Sequence, residues 1–444
     1  MSTEAQAAIE RDTRRLGPSY HKLFISTVIS NVGDGMSIIA YPWLASAITR
    51  NPLLITSVAL VQRLPWLVFT LPAGVITDRV DRKRAMVVAD FTRFVLTLFV
   101  ALAVLGRQSH LPGPNDLTSV HGTQTGLYLV LLAATLLLGT AEVLRDNCGQ
   151  TFMPSIVHPD QLEKANGRMW SAEGIANTFV GPPLGSLLLL AAFSLPFFVD
   201  AASFFAAAAL VALIPGSFRA HRPVDHVQAP WRRELAEGFR WLWANDLLRS
   251  MAIILGLMNL ASMLSGSVLV LFAQEVLDIG PFLFTIMSFG LAAGAAVGAN
   301  TAPWLSKKLG SGTCLALTLG SSAAVSFVVG LSSWWPIVMI AFAVGSMLGA
   351  SWNVITVSLR QTIIPPHLLG RVNSVYRFFA WGMMPIGAAL GGATVTVVSE
   401  IADRRIALRS AFFFDAAIYA CLFVIGRSRL TTAKLEAARA AATA

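Results

Sequence analysis

An all-α membrane protein with twelve transmembrane helices, arranged as two pseudo-repeated halves of six, is the fold class this sequence predicts, and three observations predict it. Of 444 residues, 55% are apolar and only 13% charged, against about 25% charged in soluble domains. A crossing helix takes about 20 mostly apolar residues to traverse a hydrocarbon core of about 30 Å, so the chain has material for about a dozen. The Lys and Arg residues collect in alternate loops, which is the positive bias of cytoplasmic segments. This composition excludes a soluble enzyme, a disordered chain and a disulfide-stapled domain.

In chain order, residues 1–21 are polar and mixed in charge, a cytoplasmic tail without the apolar core of a signal peptide. Apolar runs between breakers then place spans at 22–49, 53–77, 84–106, 125–148, 166–190, 193–215, 247–275, 281–303, 313–332, 336–359, 371–398 and 406–427. The first half is thus 22–215, the second 247–427, and 428–444 forms a cytoplasmic tail. Residues 216–246 form a cytoplasmic linker, in which Trp231, Leu235, Phe239, Leu242 and Trp243 recur at helical spacing. An amphipathic helix packed against the bundle is expected there. Basic residues such as Arg14, Arg15, Lys22, Arg82, Lys83, Arg84, Lys307 and Lys308 fall on one side, and only Arg50, Arg107, Arg404, Arg405 and Arg409 on the other. Both termini are therefore expected in the cytoplasm, and the net charge of +9 reports topology, with no nucleic-acid partner implied. Cys148, Cys314 and Cys421 are scattered and form no CxxC pair, so neither a metal site nor a disulfide framework is indicated.

The halves carry a faint internal repeat. The run Pro159-Asp-Gln-Leu162-Glu-Lys164-Ala-Asn166 before span five is echoed 207 residues later by Pro366-His-Leu-Leu369-Gly-Arg371-Val-Asn373 before span eleven. The same offset carries Gly185 onto Gly392, within the small-residue runs GPPLGS and AALGGA. Two six-span halves related in this way form a recurring transporter architecture, with the substrate site between them.

The loop between spans two and three reads Gly74-Val-Ile-Thr-Asp78-Arg79-Val-Asp81-Arg82-Lys83-Arg84. It resembles the loop signature of the major facilitator superfamily, with Asp81 in place of the usual Gly. The resemblance implies a conformational latch made by Gly74, Asp78, Arg79 and Arg82 with Glu142, Arg145 and Asp146. In it Asp78 docks on the N-terminus of span eleven, a favourable place for a carboxylate, and Arg82 pairs with Glu142 or Asp146 at the cytoplasmic end of span four. In span five, Gly181-Pro182-Pro183-Leu184-Gly185-Ser186 is similar to the Gly-Pro-x-x-Gly-Gly element of the superfamily's drug:proton antiporters. Gly181, Pro182 and Gly185 are expected to bend that helix and to admit a close crossing. A further Gly of the antiporter pattern is replaced by Asn177. The Gly33-Asp34 step of span one resembles the branch holding macrolide-efflux and enterobactin-exporting pumps.

Ionisable residues inside spans are costly and need a partner or a role. Asp34 lies about 18 Å above the cytoplasmic boundary at the rise of a helix, near the midplane. Arg63 of span two is its natural partner by connectivity, and Glu173 lies about a turn into span five. Asp34, Arg63 and Glu173 are the proton-coupling candidates. Asp90 and Arg93, three residues apart, can neutralise one another, and Asp200 and Asp415 are also intramembrane. The seven histidines fall in loops or at span ends, which argues against a histidine relay. Asn31, Trp352, Asn353, Tyr376 and Trp381 are candidates for a substrate cavity.

The expected function is proton-coupled efflux of an amphiphilic small molecule, drug-, macrolide- or siderophore-like, by alternating access in the bacterial inner membrane. Its partners would be that substrate, protons and the bilayer, and the chain would act as a monomer without a cofactor or metal. No HExxH, nucleophile triad or ligand cluster supports an enzyme. The alternatives are a lipid or lysolipid translocator and a non-transporting receptor or scaffold.

Overall fold

The structure, a computed structural model, describes residues 16–77, 80–117, 120–218, 231–365 and 368–443. Among these residues there is no strand, and eleven helical stretches are long and apolar enough to cross a membrane. Span one is α1, Pro18–Ile48. Span two is broken into α2, Pro52–Val68, and α3, Thr70–Thr77. Pro72 has no N–H to offer the Val68 carbonyl. Helical bonds persist on either side of that gap, from Phe69 N to Pro65 O and from Ala73 N to Phe69 O. Spans three and four are α4, Arg82–Leu105, and α5, Thr125–Phe152. Span five comprises α6, Leu162–Ile175, a π-helical turn at Ala176–Val180, and α7, Gly181–Ala191. Span six is α8, Leu195–Ala212, and the linker holds α9, Trp231–Ala244.

The second set follows the same plan. Span seven is α10, Asp246–Gly266, with α11, Leu269–Glu275. Spans eight to twelve are α12 (Pro281–Leu309), α13 (Ser311–Leu331), α14 (Trp335–Ile363), α15 (Leu369–Val398) and α16 (Arg404–Arg429). A last helix, α17, runs Thr432–Thr443.

The chain falls into two compact units, Met1–Ile48 with Leu64–Pro223, and Thr49–Arg63 with Val224–Ala444. In the first, α1 packs on α7 and α8, α4 on α5 and α8, and α3 on α5. In the second, α10 packs on α15 and α16, α13 on α14 and α16, and α12 on α14. Each pairing in the first unit thus recurs six spans later, which gives the faint sequence repeat a structural counterpart. The small-residue runs mark equivalent crossings. A Cβ on Gly181 would sit 2.6 Å from Gly35 Cα, and one on Gly185 2.8 Å from Met36 Cα. Gly387 and Gly391 likewise lie against the Leu260 and Leu264 carbonyls of α10, each 2.2 Å from where a Cβ would stand. Only glycine permits such backbone approach.

The loop ends are held by local chemistry. Asp81 caps α4, accepting from Arg84 N at 3.0 Å. Its Oδ2 also accepts from Ser217 Oγ at 2.5 Å and Phe218 N at 2.9 Å, beyond the end of α8. Lys22 and Lys83 donate to the Leu213 and Ile214 carbonyls at 2.7 and 2.5 Å, where the C-terminal dipole of α8 favours a cation. In α9, Leu242 is buried in the core of the second unit, and Glu237 pairs with Arg371 at 2.7 Å.

Candidate functional site

A polar stripe runs along one face of α1, with Thr27, Ser30, Asn31, Asp34 and Ser37 spaced at three and four residues. That spacing puts them on one side of the helix, turned toward α4, α5, α7 and α8 of the first unit. Arg93 of α4 reaches this stripe. Its guanidinium ion-pairs with Asp34, donates to Ser30 Oγ at 3.3 Å, and lies over the Phe204 ring at 3.8 Å from the centroid. One turn back on α4, Asp90 is fully buried and lies 3.7 Å from Arg93 Nη1. From α5, Arg145 approaches Asp90 at 3.6 Å and Asp146 at 3.9 Å, and donates to Thr27 Oγ1 at 3.0 Å. Asp200 of α8, also buried, accepts from Ser37 Oγ at 2.7 Å. Four carboxylates and two guanidinium groups therefore occupy one cluster. The Asp34 side chain is 29% exposed and that of Arg93 only 4%, so Asp34 is the more exposed member of this ion pair.

The structure redirects the expectation for Arg63. It is exposed on α2, and Arg93, on the next span but one from Asp34, supplies the cation. The mutual neutralisation expected of Asp90 and Arg93 is present, but Arg93 divides itself between Asp90 and Asp34. Glu173 is half-buried on α6, within electrostatic reach of Asp146 and Arg145.

The latch residues are placed in part. Asp78 and Arg79 lie outside the described residues, and Gly74 lies in α3. Arg82 donates to the Thr151 carbonyl at 2.9 Å, so its contact at the end of α5 is with backbone where a carboxylate had been expected. Arg145 turns inward and joins the buried cluster, because Asp90 and Thr27 give it partners there. Asp81 has a use that sequence reasoning missed. Burial works against its charge, but the donors Ser217, Arg84 N and Phe218 N, with the Arg84 charge, hold its carboxyl below the usual range.

Among the cavity candidates, Asn31 is tied down: it donates to the Thr27 carbonyl at 2.8 Å and accepts from Asn177 of the π-helical turn. Trp352 and Asn353 line a cavity of about 420 Å³ inside the second unit. Tyr376 is buried, with the Arg360 guanidinium 3.9 Å from its ring centroid, and Trp381 is exposed near the middle of α15. Neither lines the cavity. Among the described residues, no group of three or more His, Cys, Asp or Glu is placed to hold a metal.

Comparison with known proteins places this geometry in a wider class. The chain is 26% identical over 392 residues to the enterobactin exporter EntS of Shigella boydii, covering 87% of each chain. It is 28% identical over 401 residues to the multidrug efflux pump Tap of Mycobacterium bovis, covering 85% of this chain and 86% of that one. Two solved structures share the fold. A variant of the nucleoside transporter NupG has a TM-score of 0.71 at 11% identity, covering 93% of this chain and all of the other. A bacterial homologue of the iron transporter ferroportin has 0.69 at 14%, covering 93% and 98%. The apolar helices and these relatives make the chain an integral membrane protein. The model of the Major Facilitator Superfamily matches residues 23–388, most of both units, and it is to that superfamily of transporters that this chain belongs.

Proposed function

We propose that this facilitator-superfamily transporter exports an amphiphilic small molecule, drug-, macrolide- or siderophore-like, by alternating access driven by inward proton flow. It works as a monomer in the bacterial inner membrane with both termini in the cytoplasm. The direction of transport draws on the relatives, which are named as an exporter and an efflux pump. Proton coupling draws on one observation, the charge balance of the buried cluster. Asp34, Asp90 and Asp146 lie against the two guanidinium groups of Arg93 and Arg145, and Asp200 is buried nearby, held by Ser37. Uncompensated charge is costly in such surroundings, and a proton on one carboxyl is the smallest change that reduces the negative excess. Asp34, paired with Arg93 and the more exposed of the two, is the group through which that proton enters and leaves. Glu173, within electrostatic reach of Asp146 and Arg145, extends the cluster onto α6. Arg63 has no part in the scheme.

The test is a substrate panel run in a pump-deficient bacterium, with resistance and accumulation measured with and without a protonophore. The expected result is lowered accumulation of at least one panel compound, abolished by the protonophore. Export that persists unchanged with the protonophore overturns the coupling.

A further inference from the structure

The second unit holds the cavity of about 420 Å³, bounded by α10, α12, α13, α14 and α16. That size lies within the roughly 300–1,000 Å³ of small-molecule sites. Its walls are mainly apolar, with Leu255, Leu291, Val325 and Phe342 among them, and its lining includes no Lys, Arg or His. One charged group lines it, Asp415 of α16, which is 3% exposed. Asp415 Oδ2 accepts from Ser265 Oγ of α10 at 2.7 Å and from Ser326 Oγ of α13 at 2.9 Å. Its Oδ1 is buried with no hydrogen-bond partner. Trp352, also in the lining and 1% exposed, keeps its indole Nε1 without an acceptor.

A carboxylate supported on one oxygen only, in an apolar chamber without a cationic side chain, is incomplete by itself. Buried polar groups find partners, and buried charges find counter-charges. A bare metal ion would satisfy Oδ1 and leave the apolar walls facing empty space. A ligand with a protonated amine and an apolar body of two rings or so uses both. We propose that this cavity is a binding site for an organic cation, with the ligand's ammonium donating to Asp415 Oδ1 and its apolar part against the leucine, valine and phenylalanine walls. The Trp352 indole N–H supplies a donor for an acceptor on the same ligand. As an assignment of the exported substrate class, an amine-bearing amphiphile, this rests on the export reading above. As a binding site it stands without that reading.

Binding is therefore measured without any gradient. The full-length protein in lipid nanodiscs is titrated by equilibrium dialysis with 3,3-diphenylpropylammonium and with its neutral analogue 3,3-diphenylpropan-1-ol. The expected result is at least tenfold tighter binding of the amine, a preference lost in Asp415→Asn, which keeps the side-chain shape. Leu291→Trp, which narrows the chamber and leaves the carboxylate in place, should weaken binding of both compounds severalfold. The proposal is overturned if the amine binds no better than the alcohol, if Asp415→Asn binds the amine as the parent does, or if Leu291→Trp leaves it unaffected. Displacement of the amine by sodium ions alone, at equal ionic strength, also overturns it in favour of a simple metal-ion site. If no panel compound shows lowered accumulation and amine binding holds, the export reading falls and the site remains.

Discussion

The guanidinium of Arg93 in α4 ion-pairs with Asp34 in α1, across 59 residues of sequence, and lies over the ring of Phe204, 3.8 Å from its centroid. Stacking and a carboxylate together hold a planar cation in one orientation. Arg93 is thereby a fixed charge and Asp34 the group that can change. The same Arg93 also sits 3.7 Å from Asp90, so loss of the Asp34 charge does not leave it without a counter-ion. This sharing makes a protonation step at Asp34 tolerable for the fold.

Asp81 should be worth more than its place in a loop suggests. It caps α4 and gathers the Ser217 hydroxyl and Phe218 amide. Loss of an N-cap costs about 0.5–2 kcal/mol, so Asp81→Ala should lower the melting temperature of the detergent-purified protein by several degrees. The carboxyl is held below its usual range in the folded state, so its contribution is complete above the unfolded pKa of about 3.9 and fades as pH falls through the folded value. Thermal melts from pH 7 to pH 3 should show the gap between parent and variant closing only at the acid end. A gap that is constant across that range rules out the charged cap.

Much of this arrangement was legible in sequence, and particular residues show where legibility ended. The apolar runs set the helices to within a few residues, and Asp34, a charge near the midplane, was the residue of span one that needed a partner. Which cation meets that face was not legible. Connectivity pointed to Arg63 on the adjoining span, which is exposed, whereas Arg93 of the same compact unit meets Asp34, and such packing is recorded by no local pattern. Asp90 and Arg93, three apart on one apolar helix, were the available signal. The partners of Asp415 lie 150 and 89 residues away, beyond any local spacing. Asp81, at a position where the superfamily signature has Gly, looked like a loss of motif and is a cap.

The crossing of α7 on α1 allows a contrast between two glycines of span five. A Cβ at Gly181 would stand 2.6 Å from Gly35 Cα and Val32 O, whereas one at Gly174 meets nothing within 4 Å. Gly181→Ala should cut the yield of monodisperse protein severalfold on size-exclusion chromatography, because backbone has to move. Gly174→Ala should leave it unchanged. Equal yields would remove the crossing from the account.

Glu275 holds two arginines together in the second unit. It pairs with Arg50 and, at 3.0 Å, with Arg404, whose guanidinium also donates to the Arg50 carbonyl at 2.9 Å. Burial draws the Arg50 guanidinium down, and the Glu275 charge offsets this. Glu275→Gln leaves two cations facing each other with their shared anion gone, and breaking such a pair by removing one partner costs about 3 kcal/mol. The melting temperature should fall by more than for Asp81→Ala, with part of the loss recovered in Glu275→Gln with Arg404→Gln. No recovery would mean that the cluster is not held by charge.

The central claim is that the coupling proton exchanges on Asp34 against the fixed charge of Arg93. The most direct measurement is proton-gradient-driven uptake into inverted membrane vesicles of a panel compound that the parent protein exports, with Asp34→Asn at matched expression. Asparagine mimics the protonated carboxyl, so the variant should fold and bind the compound but lose uphill uptake, while Asp34→Glu keeps part of it with a shifted pH optimum. If Asp34 is a static partner, Asp34→Asn mainly lowers the amount of folded protein and Arg93→Gln in the same background restores it. That outcome, or full gradient-driven uptake by a well-expressed Asp34→Asn variant, contradicts the account.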